Sequence, residues 1–260
     1  MIGLGIFLFA LQAASASAGA SVEIGSREEA IAAAGQQNQS MSVTSVLDIL
    51  DSAGIAPGST PQQAVQELQR VATSGNPCAL LQAARVQREL LNDIAGATQD
   101  LNRAITLGCP DARYELASGL VRDHADIGLA VSTLQQAVNL GDARASTLLG
   151  QLYRSGDIAG GVNLERAQQS FLIAAVAGDS GGQAQLASTL RERDTVAPSR
   201  QTFSQALYWS LVSARTGGEA AAAVAREMLE KAPERLSQGQ IARLRLAASR
   251  FRPNVNGTKP

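Results

Sequence analysis

A chain of 260 residues with a net charge of −1, 45% hydrophobic residues and only 3% aromatic ones has room for one or two domains. The charge balance and the scarcity of rings argue against nucleic-acid binding, which calls for a basic field and stacking platforms. One histidine and two cysteines cannot make a multi-histidine metal site or complete a structural zinc site.

At the amino end, Ile2 to Leu11 is apolar but too short to cross a bilayer. Ala16-Ser17-Ala18 follows as a small-residue cleavage pattern, so residues 1–18 read as a secretory signal peptide. No lysine or arginine precedes the apolar run. A start codon placed too late would account for that, and an uncleaved or non-exported chain is the alternative. No cysteine follows the run, so a lipid-modified amino terminus is not expected, nor is a transmembrane segment once the signal is cleaved. Residues 19–41, rich in Ala, Ser, Gln and Gly, read as a low-complexity linker. Ser42 to Gly54 carries apolar residues at helical spacing and predicts a first helix, ended by Ala56-Pro57-Gly58-Ser59.

A ruler then runs down the chain. An alanine stands eleven residues before a glycine at Ala64/Gly75, Ala97/Gly108, Ala130/Gly141, Ala167/Gly178 and Ala206/Gly217. The glycines are 33, 33, 37 and 39 residues apart, a period that signals stacked supersecondary units. Seven residues before them stand Leu68, Leu101, Leu134, Phe171 and Ser210, with Trp209 expected to substitute for Ser210. Four before them come Val71, Ala104, Ala137, Ala174 and Ser213. Steps of four and three share one helix face, so each copy predicts a helix B with a small-large-small stripe. Each glycine is expected to end its helix in the left-handed conformation.

After each glycine a second pattern recurs: Ala112, Leu116, Ala117 and Leu120, then Ala145, Leu149, Gly150 and Tyr153, then Gly182, Leu186, Ala187 and Leu190. This is helix A. Thr60-Pro61-Gln62-Gln63 has the form of a capping box, Asn76-Pro77 reads as an N-cap followed by proline, and Asp142 as the cap of the next copy.

The two cysteines fall in adjacent copies, Cys78 three residues past Gly75 and Cys109 one past Gly108. Packed helices lie ~8–10 Å apart, and a disulfide needs Cα atoms about 4.4–6.8 Å apart, so a bridge requires the loop at Cys109 to lean back. An even cysteine count in an exported chain favours the bridge; two separate buried thiols are the alternative. His124 lies beside Asp123 and Asp126 between two helices and reads as a surface loop residue, not a general base. Gly156 to Asn163 is a glycine-rich turn without a phosphate-binding pattern. Arg191 to Gln201, with Pro198, reads as a longer linker.

Beyond Ala232-Pro233, Ser237 and Gln240 form a second capping box that opens a last helix, so residues 233–252 read as a C-terminal capping helix and 253–260 as a tail. From residue 226 on there are eight basic residues against three acidic ones. Within that end Arg243, Arg245, Arg250 and Arg252 are the candidate patch for an anionic partner, a solvated helix face being the plainer reading.

The run Ala145, Leu149, Gly150, Tyr153, Gly156, Val162, Ala167, Phe171, Ala174, Ala175, Gly178 resembles the A-x3-L-G-x2-Y-x2-G…V…A-x3-(W/Y/F)-x2-A-A-x2-G pattern of Sel-1-like repeats, relatives of tetratricopeptide repeats. The resemblance covers roughly Ser42 to Phe251, and the first copies are shorter and lack the helix A aromatic. It implies an all-α fold, a right-handed α-solenoid of stacked helix-turn-helix repeats over residues 42–232. A concave surface lined by helix A side chains would hold a partner protein. The resemblance brings no catalytic, cofactor or metal residues, and suggests contexts such as exopolysaccharide secretion or control of a sensor kinase. The expectation is a non-enzymatic, periplasmic or secreted scaffold; the alternative is a module for anionic polysaccharide or peptidoglycan.

Overall fold

The computed structural model describes residues 60–254. The signal peptide, the linker, the helix expected over Ser42 to Gly54 and the chain beyond residue 254 lie outside the described residues. Those described form eleven helices and no strand, in two compact units divided between Asp142 and Ala143. The architecture is all-α, a succession of packed helix pairs of the α-solenoid kind.

The unit up to Asp142 holds α1 (Pro61–Thr73), α2 (Ala79–Glu89), α3 (Ile94–Thr106), α4 (Ala112–Arg122) and α5 (Ile127–Asn139), each packed on the next. The other holds α6 (Ala143–Ser155), α7 (Leu164–Ala177), α8 (Ser180–Val196), α9 (Arg200–Ser213), α10 (Gly218–Arg235) and α11 (Gln238–Ser249). Here α6 packs on α7, α7 on α8 and α8 on α9, while α11 packs against α9 more than against its sequence neighbour α10.

Every helix B starts on a side-chain cap. Thr60, Asp93, Asp126, Asn163 and Ser199 each accept a hydrogen bond from the backbone N–H three residues on. Thr60/Gln63 and Ser237/Gln240 both form complete capping boxes. The stripe that the spacing singles out is the buried one: Ala97, Leu101 and Ala104 in α3, Ala167, Phe171 and Ala174 in α7. The helix B ends follow one scheme at Gly75, Gly108, Gly141 and Gly178, all with positive φ. There the residue after the glycine donates its N–H back five positions, as Cys109 does to the Ala104 carbonyl at 2.9 Å and Asp179 to Ala174 at 3.0 Å.

Five local expectations need correction. Gly217 has φ −89 and sits at the N-cap of α10, not at the end of α9. A Cβ there would stand 2.8 Å from both the Ser213 carbonyl oxygen and Ala221 Cβ, so it is glycine for want of space. The ruler therefore runs three residues late at its last mark. Counted from the N-caps, Leu207 takes the place of Phe171, and it is fully buried. Trp209 packs edge-on against Phe251, centroids 5.7 Å apart. Asn76-Pro77 does not cap α2; the chain enters through a tight turn in which Ala79 N–H bonds the Asn76 carbonyl at 3.0 Å and Leu80 the Pro77 carbonyl at 3.3 Å. The stretch Arg191 to Gln201 is mostly helix, since α8 runs on to Val196 and only three residues separate it from α9. Pro233 lies inside the last turn of α10, so the capping helix expected over 233–252 begins only after its Ser237 cap.

Candidate functional site

A groove of about 1390 Å³ runs along the outward face of α3. Its lining residues in that helix, among them Ile94, Thr98, Gln99, Asn102 and Thr106, recur at the spacing of one helical face. Thirteen residues at 1.5 Å each give a length of roughly 20 Å. The far wall is the end of α1 and its turn, from Ala72 to Pro77. Ile94 and Leu107 stand at the two ends of α3, 37% and 51% exposed, with hydroxyls and amides between them.

The groove is electrically quiet. Among the described residues that line it, Arg103 is the one that carries a charge, and its Nη1 donates to Asp100 Oδ1 at 3.0 Å. Asp100 is 2% exposed and accepts a second bond from Gln69 Nε2 of α1 at 2.7 Å. The buried carboxylate thus has a cation on one side and an amide on the other, the condition under which burial of a charge is tolerated. It also fixes the spacing of α1 and α3 beneath the groove. The sequence signal for Asp100 is its place among Ala97, Leu101 and Ala104, where a carboxylate must find a partner.

Two lining residues of the groove, Pro77 and Leu107, stand close in sequence to the two cysteines. Cys78 and Cys109 form a disulfide with Cα atoms 5.2 Å apart. The left-handed Gly108 folds the chain back so that Cys109 N–H reaches the Ala104 carbonyl, and this brings Cys109 under the turn that carries Cys78. The bridge thereby ties the turn after α1 to the turn after α3.

Helix A residues, by contrast, pair their charges with one another. Arg85 reaches Glu115 at 2.6 Å and Arg88 reaches Asp123 at 2.5 Å, linking α2 to α4. Gly119 leaves room for the second of these, since a Cβ there would stand 2.6 Å from Arg88 Nη2. In the other unit Arg154 bonds Gln185 at 3.0 Å and Glu192 at 2.8 Å, and Arg191 faces Glu227 at 3.6 Å. These arginines act as struts between successive repeats.

Arg243, Arg245, Arg250 and Arg252 are all exposed. Arg243 and Arg245 are two positions apart in α11, hence roughly 200° apart around its axis, so the four do not converge on one spot. His124 is exposed in the turn between α4 and α5 with φ 48. The turn Gly156 to Asn163 contains three glycines of positive φ and is tied back by the Asn163 N–H on the Tyr153 carbonyl at 2.8 Å. Among the described residues no group of three or more His, Cys, Asp or Glu side chains could hold a metal, and no helix is long and apolar enough to cross a membrane.

Comparison with known proteins matches this geometry to a solved one. A Sel1 repeat protein from Oxalobacter formigenes superposes with a TM-score of 0.55, over 79% of this chain and 86% of its own, at 21% sequence identity. The chain has the Sel1-repeat fold. No family model matches it, and no curated protein does. The likeness covers most of the chain, and at this identity it speaks for the Sel1-type helix-pair arrangement, not for a shared partner.

Proposed function

We propose that this chain is a non-enzymatic, exported adaptor that holds a segment of a partner protein in the groove along α3. The observation that carries the reading is the groove itself: about 1390 Å³, apolar at both ends, with Arg103, the one charged residue among the described lining, already paired with Asp100. Such a surface fits a short amphipathic helix of three to four turns with an uncharged docking face, the helix-in-groove mode of recognition. A charged segment would lose its hydration there without gaining a partner. The disulfide supports an oxidising compartment such as a periplasm, and the Sel1-repeat fold supports a protein partner over a small-molecule substrate. The role in a bacterial envelope, in exopolysaccharide secretion or sensor-kinase control, is the extension of this reading that the sequence resemblance favours.

The test is selection by the full chain from a displayed library of segments about 14 residues long, the length of three to four helical turns. The reading expects binders with an uncharged docking face that lose affinity at least about tenfold when Thr98→Trp fills the groove. Acidic binders that ignore Thr98→Trp and are lost when Arg243, Arg245, Arg250 and Arg252 are neutralised would overturn it. They would favour the second reading, an anionic polymer held at the exposed basic end.

A further inference from the structure

The two units fill their cores differently. Residues 60–142 contain a single aromatic, Tyr114, which is only half-buried. Of the sixteen residues that make up the core cluster there, eight are alanine. Residues 143–254 bury Tyr153, Phe171, Phe203 and Trp209. Alanine removes little apolar area from water, and aromatic rings remove the most. The disulfide belongs to the unit with the thinner core.

Its position matters as much as its presence. Pro77 and Leu107, which line the groove, are one residue before Cys78 and two before Cys109. The Gln69–Asp100 hydrogen bond also ties α1 to α3. Cys109 is fully buried, while Cys78 is partly exposed, so attack by a reductant is expected at Cys78.

We infer that the Cys78–Cys109 bridge is a redox latch on the groove: on reduction, residues 60–142 lose their fold and the groove with it, while residues 143–254 keep theirs. A dithiol reductant supplies the step. One of its thiolates attacks Cys78 Sγ, Cys109 leaves as thiolate, and the second thiol displaces Cys78; two electrons and two protons pass to the cysteines and the dithiol becomes a cyclic disulfide. Removing a cross-link that closes 31 residues of sequence shifts the folding equilibrium of that unit by some hundreds-fold. The latch rests on the proposed docking only for its purpose, and it is read without any partner.

Hydrogen exchange of the full chain with and without dithiothreitol decides it, with thiol alkylation to score reduction. Amides of α1, α2 and α3 should exchange about 100-fold faster or more after reduction, with those of α6, α7 and α8 unchanged. The double variant Cys78→Ala/Cys109→Ala should show the reduced pattern without reductant and no further response to it. Unchanged protection of α1 to α3 in alkylatable protein, a bridge that survives the dithiol, or loss of both units together would each overturn the latch. So would a double variant that fails to fold throughout.

Discussion

The ring of Phe171 in α7 lies so close to Gly150 in α6 that a Cβ on that glycine would stand 2.6 Å from ring carbon Cε1. Glycine inside a helix is about 1 kcal/mol worse than alanine by propensity alone, so Gly150→Ala would stabilise an isolated α6. Overpacking a closed interface costs ~1–3 kcal/mol and outweighs that gain. Gly150→Ala should therefore lower the stability of the unit from Ala143 on by about 1–2 kcal/mol in urea titration. Combined with Phe171→Leu, its added cost should shrink or reverse.

Asp194 holds three elements together. It receives both Nη atoms of Arg235 and the Ser199 backbone N–H at 2.9 Å, and Arg235 lies over the Phe203 ring, 4.6 Å from its centroid. Asp194→Ala leaves a partly buried guanidinium and an N–H without an acceptor, at a cost of about 2–3 kcal/mol. Arg235→Met, which keeps the packing on Phe203, should cost less. The urea midpoints of the two variants check the order.

The chain past α11 is not idle. Asn254 N–H donates to the Val176 carbonyl at 2.9 Å, and Pro253 lies against Gly178, where a Cβ would meet it at 2.6 Å. Ending the chain at Arg252 should cost about 1 kcal/mol and speed amide exchange at the end of α7, with α1 to α5 unaffected.

Tyr208 gives a pH signature. Burial raises its phenol above the ordinary 10.0, opposed by the charge of Arg215. A raised folded value favours the protonated form, so its contribution is whole below pH 10 and is lost as pH climbs through the folded value. Wild type should lose stability between about pH 10 and the onset of alkaline unfolding faster than Tyr208→Phe does, by urea melts across that range.

Much of this architecture is legible in the sequence because each signal has one physical cause. Gly75, Gly108, Gly141 and Gly178 adopt positive φ, which glycine alone enters without strain, and the stripe of Ala97, Leu101 and Ala104 is buried because its period is that of a helix. Legibility fails where one residue type serves two causes. Gly217 is a glycine for lack of room, and Trp209 is a ring that packs on the chain end at Phe251. The charged run Arg191 to Asp194 reads as a loop but forms helix, its arginine and aspartate being used as struts to α10. The groove is the least legible feature. Thr98, Asn102 and Thr106 look like an ordinary solvated face until the end of α1 is placed beside them.

Photo-crosslinking in the native cell tests the docking groove most directly, with a photoreactive residue at Asn102 in the groove or at Ile173 on the exposed face of α7. Docking along α3 predicts one discrete protein adduct from position 102, absent from position 173 and abolished by Thr98→Trp. Equal adducts from both positions, or an adduct at 102 that persists when Thr98→Trp fills the groove, would contradict it.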